Sequence, residues 1–287
     1  MNSLNNYMFS FYDFLGYLIP GSFLVIMIRL ISEFKLVDNE WSYKIDIIKN
    51  ENIFTIIVLM YILGHILSFL SAITVERYSI WTLGYPSTYL LNYEKGGYYK
   101  SIKTHNNTRV FMRTFVWIIL FPITIFDTIF KFNNIISAAL DEQLQCAVKR
   151  CICNNLRENY KIYSICKDTE LDFLRILYHE IVRSGDKHFN KLQNYVALYG
   201  FSRTIALVLV IAFYFSIYRL YKYSLWNINF IIFIFLLWGS SILLYYSYNK
   251  FSKKYTLEVL MAYLVMNKSK NENFFHKCKK EVKNGKF

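Results

Sequence analysis

Four long apolar stretches constrain what this chain can fold into. The hydrocarbon core of a bilayer needs roughly 20 predominantly apolar residues for each helical span. Stretches 9–31, 53–75, 201–222 and 228–248 meet this requirement, and the second of them contains no formally charged residue. Only a few residues separate the last two stretches, so they are expected to form an antiparallel hairpin. We therefore predict an all-α polytopic membrane protein with four transmembrane helices.

The composition agrees with a membrane location and excludes several other classes of protein. Hydrophobic residues make up 55% of the chain and charged residues 18%, which is too apolar for intrinsic disorder. Five cysteines in 287 residues are too few and odd in number for a small disulfide-bonded scaffold. The lipid bilayer is therefore the first partner that the sequence predicts.

The distribution of charge predicts the side of the membrane on which each loop lies. Residues 33–52 carry 3 basic and 5 acidic side chains, residues 76–203 carry 17 and 11, and residues 249–287 carry 10 and 3. Cytoplasmic loops are enriched in Lys and Arg. We therefore expect both termini to lie in the cytoplasm. The first helix is expected to remain in the mature protein, because no Lys or Arg precedes it and no cleavage site follows it.

The spans and loops divide the chain into four predicted segments. Residues 1–75 hold the first two spans, and residues 76–200 form a cytoplasmic or interfacial insert. Residues 201–248 form the hairpin of spans, and residues 249–287 form an amphipathic helix with a basic tail. In the insert and the tail, apolar residues recur at intervals of three and four, which is typical of amphipathic helices. We therefore predict a helical cytoplasmic domain built from these two segments.

Segment 110–131 within the insert is predicted to be associated with the membrane. Its apolar stretch from Thr114 to Phe126 has only 13 residues and contains Pro122, so it is too short for a span. A fifth span here would also place one strongly basic segment outside the cell. The segment could be a re-entrant helix, an interfacial helix or a helix buried against the bundle, and the sequence does not choose among these.

Small residues and a proline predict how the first two spans pack. Gly64, Ser68 and Ala72 lie four residues apart on one helix face, and such a face lets two backbones approach closely. We predict a surface for helix packing and oligomerisation, with either the same chain or a second copy as its partner. In the first span, Pro20 removes a backbone donor and Gly21 relaxes the backbone beside it. These two residues predict a kink, which is either static or a hinge.

Three polar residues lie within or beside the first two spans. His65 is about 12 residues into its 23-residue span, near the middle of the membrane, where a polar side chain is costly and often functional. A neutral imidazole can also serve only as a hydrogen-bonding group between helices, which is the interpretation we favour. Asp13 lies near the cytoplasmic end of its helix and closer in level to Arg77 than to His65. We therefore predict an ion pair between Asp13 and Arg77.

The sequence predicts no catalytic residue, no metal site and no cofactor, so the protein is expected not to be an enzyme. Segment 179–183 begins like the helix of a zinc metalloprotease, but Arg183 stands where the second zinc-binding His must be. The spacing of Cys146, Cys151 and Cys153 does not fit a zinc knuckle, and we expect reduced thiols. The aromatic residues of the basic insert are not spaced as in a recognisable nucleic-acid reader, so nucleic acid is not an expected partner.

Three short stretches carry a resemblance to known proteins. They are YDFLGYLIPG at 12–21, LGHILS at 63–68 and LGYPS at 83–87. Together they resemble a loose group of uncharacterised bacterial multi-pass inner-membrane proteins, some of them encoded in phage-defence neighbourhoods. The resemblance covers roughly the first hundred residues. It implies a membrane location and a role in defence, and it supplies no catalytic residues.

These features lead to one principal functional hypothesis and two alternatives. In the principal hypothesis, the protein is a non-enzymatic homo-oligomer that perturbs the membrane, as an effector or accessory protein in defence or stress response. In the first alternative, it is a membrane anchor or assembly subunit for a cytoplasmic protein partner. In the second, it is an ion-coupled transporter or membrane-embedded enzyme that uses His65 and Asp13.

Overall fold

The computed structural model describes residues 14–33, 53–92, 107–130, 136–160, 173–183, 188–223 and 226–266, and their regular structure is helical without strands. The prediction of an all-helical protein with candidate membrane spans is confirmed. Several predicted features lie outside the described residues. They are Asp13, the start of the first predicted span at 9–13, most of the acidic loop at 33–52, and the basic tail from residue 267.

The described residues are mostly helical. A π-helical turn, Phe14–Leu18, leads into α1, Ile19–Glu33. Helix α2, Ile53–Ser71, continues through a second π-helical turn, Ala72–Glu76, into α3, Arg77–Leu83, and α4, Pro86–Leu90. The remaining helices are α5, Asn107–Ile119; α6, Phe121–Phe130; α7, Glu142–Tyr160; α8, Phe173–Arg183; α9, His188–Tyr223; and α10, Ile228–Met266.

Three stretches of helix are long and apolar enough to cross a membrane. They are Ile53–Leu90, Phe189–Tyr223 and Ile228–Met266, and they contain the predicted spans 53–75, 201–222 and 228–248. A fourth candidate is the bent pair Val110–Ile119 and Phe121–Phe130, if the pair is one span. The apolar helix Gly16–Ser32, which covers most of the first predicted span, is shorter than these.

The chain divides into two compact units that differ from the predicted segments. The first, which we call the bundle unit, combines residues 1–78, 107–130 and 197–248. The second unit combines residues 79–106, 131–196 and 249–287. Residues 107–130 therefore group with the candidate spans and not with the rest of the insert in which the sequence analysis placed them.

The bundle unit carries large apolar side chains on its surface and several polar ones inside. Helix α2 buries Gly64, Leu67 and Ser71, and the π-helical turn after it buries Thr74 and Val75. The surface of α2 instead presents large apolar side chains: Ile53, Phe54, Ile57, Leu59, Ile62, Ile66 and Phe69. A helix on the surface of a soluble protein has the opposite arrangement. Contiguous apolar surface of this kind is rare on soluble monomers and is suited to contact with lipid.

The segment leading into α1 approaches α2 so closely that two glycines leave no room for a side chain. A Cβ atom on Gly64 would lie 1.8 Å from the carbonyl oxygen of Tyr17. A Cβ atom on Gly21 would lie 1.8 Å from the carbonyl oxygen of Met60. The two contacts also show that the segments run antiparallel, because the residue number rises on one side as it falls on the other. Lipid provides little hydrophobic drive for helix association, so close backbone packing of this kind is an important source of stability.

The second unit has a hydrophobic core of its own. Its buried members come mainly from α4, α7, α8 and α10, and they include Tyr89, Leu90, Val148, Ile152, Leu177, Ile181, Val259 and Tyr263. The backbone N–H of Leu140 donates to the carbonyl oxygen of Leu90 at 3.0 Å. This bond joins the residues that precede α5 to those that follow α6. The Lys253 ammonium donates to the carbonyl oxygens of Ile136 and Ala138, at 2.9 Å each.

The cysteines of α7 are not equivalent. Cys146 and Cys151 are buried free thiols, whereas Cys153 is disulfide-bonded. The expectation that all three are reduced is therefore wrong for Cys153. Persistent disulfides are typical of oxidising compartments and rare in the cytosol. This bond therefore bears on the side of the membrane on which the second unit lies.

Gly64→Ala is expected to destabilise the protein by about 1–3 kcal/mol, the usual cost of overpacking, because its methyl group would overlap the backbone at Tyr17. The measurement is the thermal unfolding midpoint of the detergent-solubilised protein. Gly239→Ala is the matched control, because it also lies within a helix and no atom lies within 4 Å of its added Cβ. An equal response of the two variants would contradict close packing at Gly64.

Candidate functional site in the interior of the bundle unit

An ion pair joins the π-helical turn Ala72–Glu76, which follows α2, to α9. The guanidinium of Arg203 donates to the carboxylate of Glu76, and its Nε donates to the Ser71 hydroxyl at 3.1 Å. The hydroxyl oxygens of Ser71 and Thr204 lie 3.3 Å apart. The side chain of Arg203 is 12% exposed and that of Glu76 is 35% exposed. The four side chains form one polar network between two helices.

The π-helical turn Ala72–Glu76 accounts for the position of Glu76 in this network. A π-helical turn holds one more residue than an α-helical turn and rotates the side chains that follow it, and such turns are frequent at functional sites. Unpaired charges near hydrocarbon are costly. Pairing and full hydrogen bonding reduce that cost, and removal of one partner leaves the other uncompensated.

A buried carboxylate joins α6 to two further helices. The Asp127 carboxylate accepts hydrogen bonds from the hydroxyls of Tyr78 and Tyr246, each at 3.4 Å, and the residue is 9% exposed. Tyr78 lies on α3, two residues after Glu76, and Tyr246 lies on α10. Asp127 therefore receives polar contacts from two of the candidate spans.

Cations and aromatic rings gather at the opposite end of α9. The Arg219 guanidinium donates to the carbonyl oxygen of Ile31 at 2.5 Å and lies 5.3 Å from the ring centre of Tyr223. It thereby satisfies a carbonyl of the last turn of α1, which has no partner within that helix. The Lys222 ammonium lies 5.5 Å from the ring centres of Tyr218 and Tyr223. Such pairs are typical of the ends of membrane spans.

The structure places Gly64 against Tyr17 of the same chain. Ser68 and Ala72, the other small residues of the predicted face, are half-buried. A role of this face in oligomerisation stays a prediction.

Pro20 and Gly21 are buried in the first turn of α1, directly after the π-helical turn Phe14–Leu18. Pro20 is the seventh residue of a continuous helical segment, and without an N–H it cannot donate to a carbonyl of the preceding π-helical turn. Gly21 is fixed against Met60 by the close approach described above. The predicted hinge at these residues therefore coincides with one of the tightest contacts in the bundle unit.

His65 is exposed on α2 and lies among aromatic rings. Its ring stacks on Tyr17, with centres 3.8 Å apart, and meets the edge of Tyr61 at 4.6 Å. Arg77 is exposed, and its predicted partner Asp13 lies outside the described residues. His65 therefore contacts two tyrosines. The ion pair predicted between Asp13 and Arg77 stays a prediction, because Asp13 lies outside the described residues.

The sequence analysis missed the residues that make the polar contacts of the bundle interior. Asp127 directly follows the apolar stretch 114–126, and Arg203 is the third residue of the predicted span 201–222, but neither was predicted to be a site residue. A carboxylate or guanidinium beside 13 or more apolar residues is itself a signal for an intramembrane polar site. Their partners could not be identified, because the sequence does not reveal which helices are neighbours.

Among the residues that the structure describes, no group of three or more His, Cys, Asp or Glu side chains could hold a metal ion. No protein family, no curated protein and no solved structure matches this chain.

Arg203→Gln is expected to destabilise the protein more than Glu76→Gln, because Arg203 also donates to Ser71. The double variant is expected to lose less stability than the two single variants together, with a coupling energy of about 0.5–3 kcal/mol. The measurement is a double-mutant cycle on unfolding in detergent. Lys250→Gln is the control, since it also removes a positive charge and Lys250 is exposed on α10. Strict additivity would contradict the importance of the ion pair.

Proposed function

We propose that this chain is a non-enzymatic integral membrane protein that anchors a helical domain for a protein partner. The observation that carries the proposal is the close packing of Gly64 on Tyr17 and of Gly21 on Met60. An oligomer that opened a pore through this face would need the face and the hinge beside it to be free. Both are occupied within the chain, which favours the anchor over a membrane-perturbing effector.

The second unit supplies the anchored domain in this proposal. Three segments of the chain, separated by the candidate spans and by α5 and α6, join in one hydrophobic core. The Lys191 ammonium on α9 donates to the Glu258 carboxylate on α10 at 2.7 Å within the same unit. A compact body held at a membrane by several helices is suited to presenting a docking surface to another protein.

The proposed topology has four transmembrane helices, formed by α1, α2, α9 and α10, with both termini and the second unit in the cytoplasm of a bacterium. The excess of Lys and Arg in residues 76–203 and 249–287 supports this orientation. The disulfide at Cys153 favours the opposite side. Basic residues near the spans set the orientation during insertion, so the distribution of Lys and Arg decides the proposed orientation.

A carboxyl-terminal fusion to a fluorescent protein that folds only in the cytoplasm is expected to fluoresce. The matched fusion to a phosphatase that is active only outside the cytoplasm is expected to be inactive. The reverse pair of results would contradict the proposed orientation and would place the Cys153 disulfide in an oxidising compartment.

Inducible expression in a bacterium tests the anchor function. We expect the membrane potential to remain unchanged, and we expect a protein partner to co-purify at a fixed stoichiometry. The measurements are potential-sensitive dye fluorescence in cells and the mass composition of the purified complex. Depolarisation accompanied by a discrete homo-oligomer would contradict the proposal.

One observation favours the second candidate, an oligomeric membrane-perturbing effector in defence or stress response. His65 lies near the middle of the predicted span 53–75 and is exposed on the surface of α2. A polar side chain at this depth is costly against lipid and would gain from a second copy of the chain. In this case His65→Leu should abolish depolarisation and reduce the oligomer, whereas Ile66→Leu at the neighbouring exposed position should change neither.

A further inference from the structure

We infer that α5 and α6 form a re-entrant hairpin that enters the membrane and leaves it on the same side. The two helices have 13 and 10 residues and are bent by 91° at the break between them. At 1.5 Å per residue the arms are about 20 and 15 Å long, and each is shorter than the roughly 30 Å hydrocarbon core. Neither arm can cross a bilayer alone.

The residues on either side of the hairpin lie in the same compact unit. Leu90 precedes the hairpin and Leu140 follows it, and a backbone hydrogen bond of 3.0 Å joins them. Leu90 also shares one hydrophobic core with Val148 and Ile152. A bilayer cannot separate residues that are packed and hydrogen-bonded in this way. The chain must therefore return to the side from which it left, which excludes a single complete span.

The hairpin has a mixed interior and a mainly apolar exterior. Arg113, Thr124 and Asp127 are buried, together with the apolar Val116, Leu120, Pro122 and Ile123. Apart from Thr114 and Thr128, the exposed side chains are large and apolar: Val110, Phe111, Met112, Phe115, Trp117, Ile118, Phe121, Ile129 and Phe130. A helix pair lying in water would have the reverse arrangement. This distribution indicates that the hairpin is immersed in lipid.

The break at the apex of the hairpin is satisfied by side chains of α9 and α10. Pro122 has no N–H, so it cannot donate to the carbonyl oxygen of Ile118 four residues earlier. The Tyr214 hydroxyl donates to this oxygen at 2.7 Å. The Trp238 indole N–H donates to the carbonyl oxygen of Pro122, also at 2.7 Å. Irregular backbone inside a membrane is tolerated only where protein or water satisfies it, and these two donors meet that condition.

The contacts of the hairpin also define the depth of its apex. Tyr214 lies 11 residues beyond Arg203 on α9, which corresponds to about 16 Å along the helix. With Arg203 at the boundary of the hydrocarbon core, a point about 16 Å further along α9 lies roughly at the middle of the core. The apex therefore reaches this depth. The returning arm is held near its end, where Asp127 accepts from Tyr78 and Tyr246. In each of these hydrogen bonds the donor lies on a candidate span and the acceptor on the hairpin. Together they hold the hairpin against the neighbouring helices.

Thiol accessibility tests the path of the hairpin. Cysteines replace Val110, Phe121 and Ile129 one at a time, and a membrane-impermeant maleimide is applied to right-side-out and inside-out vesicles, with the labelling of the parent protein subtracted. We expect Val110→Cys and Ile129→Cys to react from the same face and Phe121→Cys to react from neither. Labelling of the two ends from opposite faces would overturn the inference in favour of a span. Strong labelling of Phe121→Cys would overturn it in favour of a helix pair at the surface.

A second experiment tests the pinning contacts. Combining Tyr214→Phe and Trp238→Phe removes both donors at the apex, and the labelling of Phe121→Cys is expected to rise several-fold. Tyr221→Phe is the control, because Tyr221 lies on the same helix and is 88% exposed. If the double variant aggregates, each single variant gives the same measurement with one bond removed. Unchanged labelling would overturn the pinning role of these side chains.

The inference rests on the proposed membrane location but not on the proposed orientation or anchor function. The ends of the hairpin must be labelled from one face, whichever face that is. If the reporter fusions or the membrane-potential experiment contradict the proposed function, the thiol labelling still tests the path of the hairpin. The two failures are therefore distinguishable.

Discussion

Hydrocarbon offers no water to a polar group, so the charges and free carbonyls of the bundle unit must find partners within the protein. Apolar side chains are nearly as well solvated by lipid as by each other, so they specify little about which helix lies beside which. The polar contacts carry that information. Arg203 reaches Glu76, Tyr246 reaches Asp127, and Tyr214 reaches the carbonyl of Ile118, each across a long separation in sequence. These contacts link α9 and α10 to the helical stretch Ile53–Leu90 and to the hairpin.

Close backbone packing complements these contacts where polar groups are absent. Gly21 and Gly64 let the first and second helices approach to a distance that any side chain would prevent. This contact uses a surface that could otherwise have served a second copy of the chain. It therefore shifts the preferred function from an oligomer that perturbs the membrane to an anchor that holds a folded domain. His65 is exposed on α2 beside this contact, and its ring stacks on Tyr17.

The sequence was informative wherever the determining property is local. The apolar stretches 53–75, 201–222 and 228–248 lie within long helices, because the length and composition of a stretch largely define a candidate span. Partners across the bundle depend on which helices are neighbours, and one sequence does not encode that visibly. No partner was predicted for Glu76, yet it pairs with Arg203 on a helix 127 residues away. The π-helical turn beside it and the disulfide at Cys153 likewise had no sequence signal.

Hydrogen–deuterium exchange in lipid nanodiscs tests the central claim most directly, because it reports whether irregular backbone in the bundle unit is satisfied and shielded from water. The account predicts that amides of residues 116–124, around the break at Leu120, exchange as slowly as those of residues 60–68 in α2. Rapid exchange at 116–124, at the rate of a solvent-exposed turn, would contradict a hairpin held inside the membrane by Tyr214 and Trp238.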